Sequence, residues 1–520
     1  MNAPAVLSSR ERLYDQSREK FEQIVGRLCS REVCKMTHSE IERELEQMGR
    51  QLLRKLLEEH LQSRGPGKSN QPVEGADAVQ RPCVRLHKRE LETIFGTVAV
   101  ERAGYYSKEQ GPSLHPLDAD LNLPEQKYSL ELCRRMAEEA AKNSFDETFE
   151  SIGKNTGAHV PKRQIEELVR GAAQDFDAFY KMRQDQVAEH KDTGSILVMS
   201  VDGKGVVMRT SDLREQTRKA AQARKHKMGA RLSKGEKKNA KRMATVAAVY
   251  TIAPLPREPE DLICESDCER PELPRPRPEH KRVWASLEKT PHEVIEEVFE
   301  EADRRDPLNQ RSWVALVDGN KHQIRILRRM AKEKGIDLTL IVDIIHVTEY
   351  LWAAGRTFHP ASGQELESWV RVRLLEILRG NAGYVAGGMR RSATLRNLAA
   401  SDRKPVDTCA DYLLTYGPYL KYNRYLGQGY PIATGVIEGA CRHLVKDRME
   451  ITGARWSLEG AEAILRLRAL RASRDFDEYW AFHESREYER NHRAVYAGGI
   501  VPPTLKPGKT GKYNHLKVVK

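Results

Sequence analysis

The sequence predicts an α/β core, a mixed five-stranded sheet with flanking helices and a helical insertion, preceded by a helical and helix-turn-helix N-terminal region. Three observations predict it. Between residues 195 and 347, short apolar runs rich in Val and Ile alternate with amphipathic stretches. Before 191, apolar residues recur at three and four spacing on both sides of one alternating segment. After 350 the chain returns to helical spacing. A length of 520 residues suits about three domains with full cores.

Residues 1–64 form a helical region, in which Thr37, His38 and Ser39 can open the second of two helices. Residues 65–80, GPGKSNQPVEGADAVQ, read as a linker by composition. The region 81–190 begins with a hairpin over 83–106, its turn near Phe95 and Gly96. A helix, a glycine turn at 153–157 and a second helix with Pro161 at its first position follow, at helix-turn-helix spacing. Lys162, Arg163 and Gln164 open that second helix and are residue types that read bases or hold phosphates. Helix pairs of this kind also occur without DNA.

The core begins at 191. Strands are expected at 195–203 (SILVMSVDG), 206–208, 244–253, 312–320 (SWVALVDGN) and 337–347 (DLTLIVDIIHV), with helices at 292–305 and 322–335. A Pro-rich acidic loop containing Cys264 and Cys268 follows the third strand. Residues 350–430 form the helical insertion. Residues 431–495 supply further core helices at 434–450, with Thr434 as its N-cap, and 458–473. Residues 496–520 form a flexible basic tail.

Lys and Arg number 87 against 75 Asp and Glu, a net charge of +12. The surplus is local: residues 209–242 hold 13 Lys and Arg against three Asp and Glu, a surplus of ten. This segment has no aromatics and almost no apolar period, so it packs no core. It reads either as a solvated loop or as a basic arm that binds phosphates through Lys225, Lys227, Arg231, Lys237, Lys238, Lys241 and Arg242. Its position beside the first core strand favours the arm. No apolar run approaches the ~20 residues of a membrane helix. The opening MNAPAVLSSRERLYD has no signal-peptide core, and eight cysteines are too few for a disulfide scaffold, so a reducing, cytoplasmic location is expected, nucleoid-associated if the partner is DNA. Cys29, Cys34, Cys264 and Cys268 read as free thiols.

The order of strands and helices is that of an RNase H-like domain, whose chemistry needs carboxylates gathered at the ends of neighbouring strands. There they hold two divalent ions, Mg2+ or Mn2+, through oxygen ligands. Asp202 and Asp318 end the first and fourth strands, and Glu438 lies in the first turn of a later helix. Each has a plainer reading. Asp-Gly pairs make hairpin turns, and Glu438 complements a helix dipole or pairs with Arg442. Asp343 and His346 form an Asp-x-x-His at the end of the fifth strand, where Asp343 competes with Asp318 for the place of second acid and His346 is either an orienting residue or a satisfied histidine.

The segments SVDGKGV (200–206), ALVDGNKHQIR (315–325), IVDIIHVTEYLW (341–352) and TGVIEGACRHLVKDRMEITGARWS (434–457), followed by GAEAILRLRAL, resemble bacterial insertion-sequence transposases of the DDE type, close to the ISKra family in the Mutator-like group. The similarity runs from about Arg81 to Arg490. It implies that Asp202, Asp318 and Glu438 are the catalytic, metal-holding acids, that Asp343 and His346 are an accessory pair, and that Trp456 lies near the active site and stacks on a base, with core packing as its alternative. Relatives carry a Tyr-x-Cys-x-x-Cys-Gly zinc half-site after the hairpin. Here Ser107 and Gln110 stand where the thiolates would be, so the resemblance does not carry zinc with it.

The function expected is DNA transposition: binding of terminal inverted repeats, cleavage of the element ends and joining of the 3′-hydroxyl to target DNA. The partners expected are element-end and target DNA and at least one further copy of the chain, with no membrane. The alternatives are an RNase H-like nuclease without strand transfer, and an inactive transposase acting as a DNA-binding repressor.

Overall fold

The structure, a computed structural model, describes residues 14–108, 111–185, 194–223, 240–263, 275–359 and 363–505. The chain divides into two compact units, residues 1–175 with 477–520, and residues 176–476. The corresponding boundary expected from the sequence is 190/191, with 431–495 in the core.

In the first unit, helices Asp15–Leu28 and His38–Ser63 pack together. Thr37 opens the second with a capping box to Glu40. The buried Glu59 accepts the Gln16 and Ser17 amides at 3.2 and 3.0 Å, satisfying open N–H groups at the start of the first. A hairpin follows, β1 Cys83–Thr93 and β2 Gly96–Tyr106, with Ile94 and Phe95 at the turn. Residues 65–80 are no free linker. Val73 is buried with Tyr105, Leu114 and Tyr496, the Ser69 amide donates to Tyr105 Oη at 2.7 Å, and the buried Arg81 donates to Asp77, Val79 and Pro112. Apolar residues too sparse to show a period suffice here because the hairpin supplies the other wall.

Helices Leu130–Lys142, Phe145–Asn155 and Lys162–Ala172 pack as a trio. The middle helix runs through Gly153, so the turn is 156–161 and not 153–157, and Pro161 is the N-cap and not the first helical residue. The chain returns to this unit from Asp477, within helix Phe476–Asn491. Tyr479 Oη donates to Ala172 O at 2.6 Å, and Asp175 accepts from His483 Nδ1 at 2.7 Å and from Arg490 at 2.7 and 2.8 Å.

The second unit is built on a mixed five-stranded sheet in the order β5-β4-β3-β6-β7: β3 Ile196–Val207, β4 Lys241–Ile252, β5 Glu279–Ser286, β6 Ser312–Val317 and β7 Leu338–Val342. β3, β4 and β5 pair antiparallel in succession, and β6 and β7 continue from β3 in parallel. Three sequence expectations are corrected. The strand at 195–203 does not stop at Gly203 but runs on to Val207, so 206–208 is its continuation and not a second strand. Gly203 and Gly205 permit this close pairing, since a Cβ on Gly205 would lie 2.8 Å from Lys241 Cδ. The fifth strand of the sheet is instead Glu279–Ser286, hidden by its charge. Its Arg282 is buried, donates to Glu301 at 2.8 Å and lies 3.6 Å from the Tyr180 ring centroid. Finally, β7 ends at Val342, and Asp343 caps helix Ile344–Phe358.

Helices Pro291–Arg305, Lys321–Lys334 and Leu458–Ser473 accompany the sheet. The insertion consists of the rest of Ile344–Phe358 with Gln364–Leu378, Ala382–Leu395, Ala400–Tyr416 and Tyr422–Gly427. Among the described residues, no helix is long and apolar enough to cross a membrane.

Candidate acid site at the sheet edge

Three aspartates arrive at one edge of the sheet by register. Ser200 of β3 pairs with Leu316 of β6, and Asp202 and Asp318 each lie two residues further along these parallel strands. Val317 of β6 pairs with Val342 of β7, and Asp318 and Asp343 each lie one residue beyond. The two Asp-Gly pairs are unlike. Asp202 and Gly203 remain within β3, opposite Val246 and Thr245, whereas Gly319 lies past the end of β6 with φ +99°, a backbone conformation that favours glycine.

Asp318 accepts the Asn320 amide through Oδ1 at 2.8 Å. Burial, joined by the charge of Asp202, raises its carboxyl above the ordinary value, while the Asn320 amide and His346 oppose the rise. Asp202 accepts the Cys441 thiol through Oδ2 at 3.1 Å. Burial and the Asp202 charge raise the Cys441 thiol, which keeps it protonated and donating.

Asp343 is fully buried and has both oxygens engaged. Oδ1 accepts the amides of Ile345 at 3.1 Å and Thr434 at 3.2 Å, and Oδ2 accepts Thr434 Oγ1 at 2.7 Å and His346 Nδ1 at 3.1 Å. Burial opposes its ionisation, but the hydrogen bonds from His346, Thr434 and Ile345 outweigh burial and hold the carboxyl below its ordinary value. The hydrogen bond to Asp343 raises His346 to about 9 against burial, with help from the charges of Asp343, Glu349 and Asp318. Thr434 sits at the N-cap position of Gly435–Ala440, yet its hydroxyl serves Asp343 and does not cap.

Glu438 is exposed on helix Gly435–Ala440, with Thr434 Oγ1 3.4 Å from its Oε1. Arg442 does not pair with it but lies 3.8 Å from Asp447. The helix continues as a π-helix over Cys441–Lys446, a geometry that recurs at functional sites. Asp343, His346 and Glu438 offer ligand atoms within 4.8 Å of one another, as do Asp175, His483 and Glu487 in the first unit. Asp202, Asp318 and Glu438 do not form so tight a group. The structure therefore brings all five predicted acid-site residues to one edge, with Asp202 and Asp318 on one side and Asp343, His346 and Glu438 on the other.

The predicted nucleic-acid contacts are placed less uniformly. Lys162, Arg163 and Gln164 open their helix toward solvent, with surface partners Asp146 at 2.7 Å for Lys162, and Glu167 at 3.4 Å for Arg163 and 3.0 Å for Gln164. Such exposed pairs are weak and yield to a phosphate. Lys241 lies 3.8 Å from Glu450. Arg242 donates to the Leu287 carbonyl at 2.9 Å and the Asp212 carbonyl at 3.2 Å, so its guanidinium ties the strand to its neighbours and is not free for DNA. Trp456 takes its core alternative and not base stacking. It is buried, its backbone bridges to Met208, Nε1 donates to Met449 O at 3.0 Å, and Arg448 lies 4.8 Å from its ring centroid. Lys225, Lys227, Arg231, Lys237 and Lys238 lie outside the described residues, as do Gln110, Cys264 and Cys268. Cys29 and Cys34 are free and exposed.

Sequence reasoning missed Cys441 and a set of tyrosines from the insertion. Tyr412 Oη donates to the Asp318 carbonyl at 3.2 Å, Tyr416 Oη to that of Gly319, and Tyr422 Oη to that of Val342 at 2.6 Å. An unusual density of tyrosine in 350–430 was the available signal, but nothing in it names the partners.

Residues 33–232 match an uncharacterised protein family, UPF0236. The matched span includes Asp202 and ends before Asp318, Asp343 and Glu438. No curated protein matches the chain.

Proposed function

We propose that this chain is a DNA transposase that binds the terminal inverted repeats of an insertion sequence, cleaves the element ends and joins the 3′-hydroxyl to target DNA. The observation that carries the reading is the alignment of Asp202 and Asp318 two residues past one backbone pair, with Asp318 raised by burial and by the field of Asp202. The strand order and directions support an RNase H-like core for it.

The donors fit a hard divalent cation such as Mg2+ or Mn2+. Asp202 and Asp318 are oxygen ligands whose mutual repulsion a cation relieves, and Glu438 is exposed at the same edge. These three would hold the metal. Asp343 would not, because four hydrogen bonds engage its carboxylate. When bound, two such ions activate the attacking oxygen and stabilise the leaving one. The chain's own contribution is orientation and charge. Asp343 holds His346 as an imidazolium beside Asp318, adding a positive charge for the phosphodiester. Lys162, Arg163 and Gln164 contact the repeats, and the basic arm contacts phosphates.

The test is cleavage of terminal-repeat DNA in Mg2+. Asp202→Ala, Asp318→Ala and Glu438→Ala are each expected to reduce cleavage to background while DNA binding persists. Full cleavage by any of the three would overturn the assignment of that acid. A pre-cleaved 3′-hydroxyl substrate separates a transposase, which joins it to target, from a nuclease, which does not. Binding without any cleavage by the wild type would favour a repressor.

A further inference from the structure

We propose that Tyr350, Tyr412 and Tyr416 are positioning residues for Asp318, an aromatic clamp by which the helical insertion holds the loop carrying that acid. The inference rests on the reading of Asp318 as a metal-holding acid. It begins with the loop. Gly319 has φ +99°, and Asp318 and Gly319 lie beyond the end of β6, where no strand pairs with their carbonyls. Tyr412 takes the first of these and Tyr416 the second. Two consecutive carbonyls held from one helix, Ala400–Tyr416, fix the orientation of the peptide between them.

The Asn320 amide then fixes the side chain through Oδ1 at 2.8 Å. Backbone and one carboxylate oxygen are both held. The tyrosines bond the backbone and not the carboxylate, so they orient the acid without competing for a ligand.

The clamp also reaches the other side of the site. Tyr350 and Tyr412 stack with centroids 4.2 Å apart and planes 27° apart, and Tyr412 meets Tyr416 at 4.6 Å. Tyr350 lies one helical turn beyond His346, on the same face of the helix that Asp343 caps. The stack therefore links the support of Asp343 and His346 to the loop of Asp318. There is little slack in it: a Cβ on Gly319 would come within 3.0 Å of Tyr412 Oη and 3.3 Å of Tyr416 Cζ. Burial raises both phenols, so they stay protonated donors.

The experiment uses the full chain with Tyr412→Phe, Tyr416→Phe and the double variant, which keep the rings. Hydrogen–deuterium exchange of metal-free protein over residues 317–321 reports loop order, and calorimetric titration with Mn2+ reports the acid. Faster exchange in the double variant is expected, with Mn2+ affinity weakened about 10-fold or more. Tyr425→Phe, which removes a hydroxyl 3.4 Å from Leu340 O, is expected to leave both readouts as in wild type. Unchanged exchange over 317–321 in the double variant would overturn the clamp, as would unchanged Mn2+ affinity where Asp318→Ala lowers it. Faster exchange combined with Mn2+ binding that Asp318→Ala does not weaken would uphold the clamp and overturn the metal reading of Asp318.

Discussion

Asp318 and Asp343 are the same residue type at the ends of neighbouring strands, and their surroundings set them to opposite work. Asp318 has one backbone amide on Oδ1 and the Asp202 carboxylate acting on it, so its charge seeks a cation. Asp343 has four donors and no exposure, so its charge is already compensated. The His346 pair has a defined pH window. Its folded value of about 9 lies above the ordinary ~6.5, so its stabilising contribution is full below ~6.5 and lost as pH rises through about 9. Asp343 is lowered, so its contribution is present above ~3.9 and lost as pH falls through the folded value. Proton NMR of His346 in metal-free buffer is expected to titrate near pH 9, and in Asp343→Asn to move toward the ordinary value. A wild-type midpoint near 6.5 would contradict the pair.

At the scale of elements, Trp456 separates two roles that a sequence cannot. Its backbone extends the end of β3 through Met208, and its indole is buried and hydrogen-bonded to Met449. Trp456→Ala is expected to lower stability by about 3–5 kcal/mol, with Trp456→Phe costing less, as read by urea unfolding. Normal stability with weakened DNA binding would instead restore the stacking role. The acids themselves were legible because apolar runs ending in Asp recur at strand spacing, and because Glu438 follows at the start of a helix. The boundaries were not. Whether Gly203 ends a strand or lets it continue depends on Lys241 and Met243 across the ladder, residues some forty positions away. Glu279–Ser286 carries no strand pattern in the sequence because the positive charge of Arg282 is buried by pairing with Glu301, a contact only the fold creates. The π-helix over Cys441–Lys446, which accompanies Cys441 at Asp202, leaves no periodic signature in six residues.

For the whole molecule, the charge of +12 is a statement about one segment, since ten of it falls within 209–242. The described ends of that segment are held in the fold: the Arg209 amide donates to Trp456 O at 2.8 Å, Arg242 donates to the Leu287 and Asp212 carbonyls, and Lys241 lies near Glu450. β3, which carries Asp202, pairs with β4 from Val207 and Lys241 onward, so the segment leaves and re-enters the sheet at one end. On the proposed reading, a charge inserted there acts on the nucleic acid that the chain cleaves and not on polyanions in general. Replacing Lys225, Lys227, Lys237 and Lys238 by Gln is therefore expected to weaken DNA binding and to reduce the slope of log K against log salt by about 3–4, if all four meet phosphates. Arg242→Gln is expected to act differently, lowering thermal stability by removing two carbonyl partners while leaving the slope nearly unchanged. Salt titrations of both variants by fluorescence anisotropy decide between an arm and a solvated loop, because a loop without phosphate contacts keeps the wild-type slope when its lysines are neutralised.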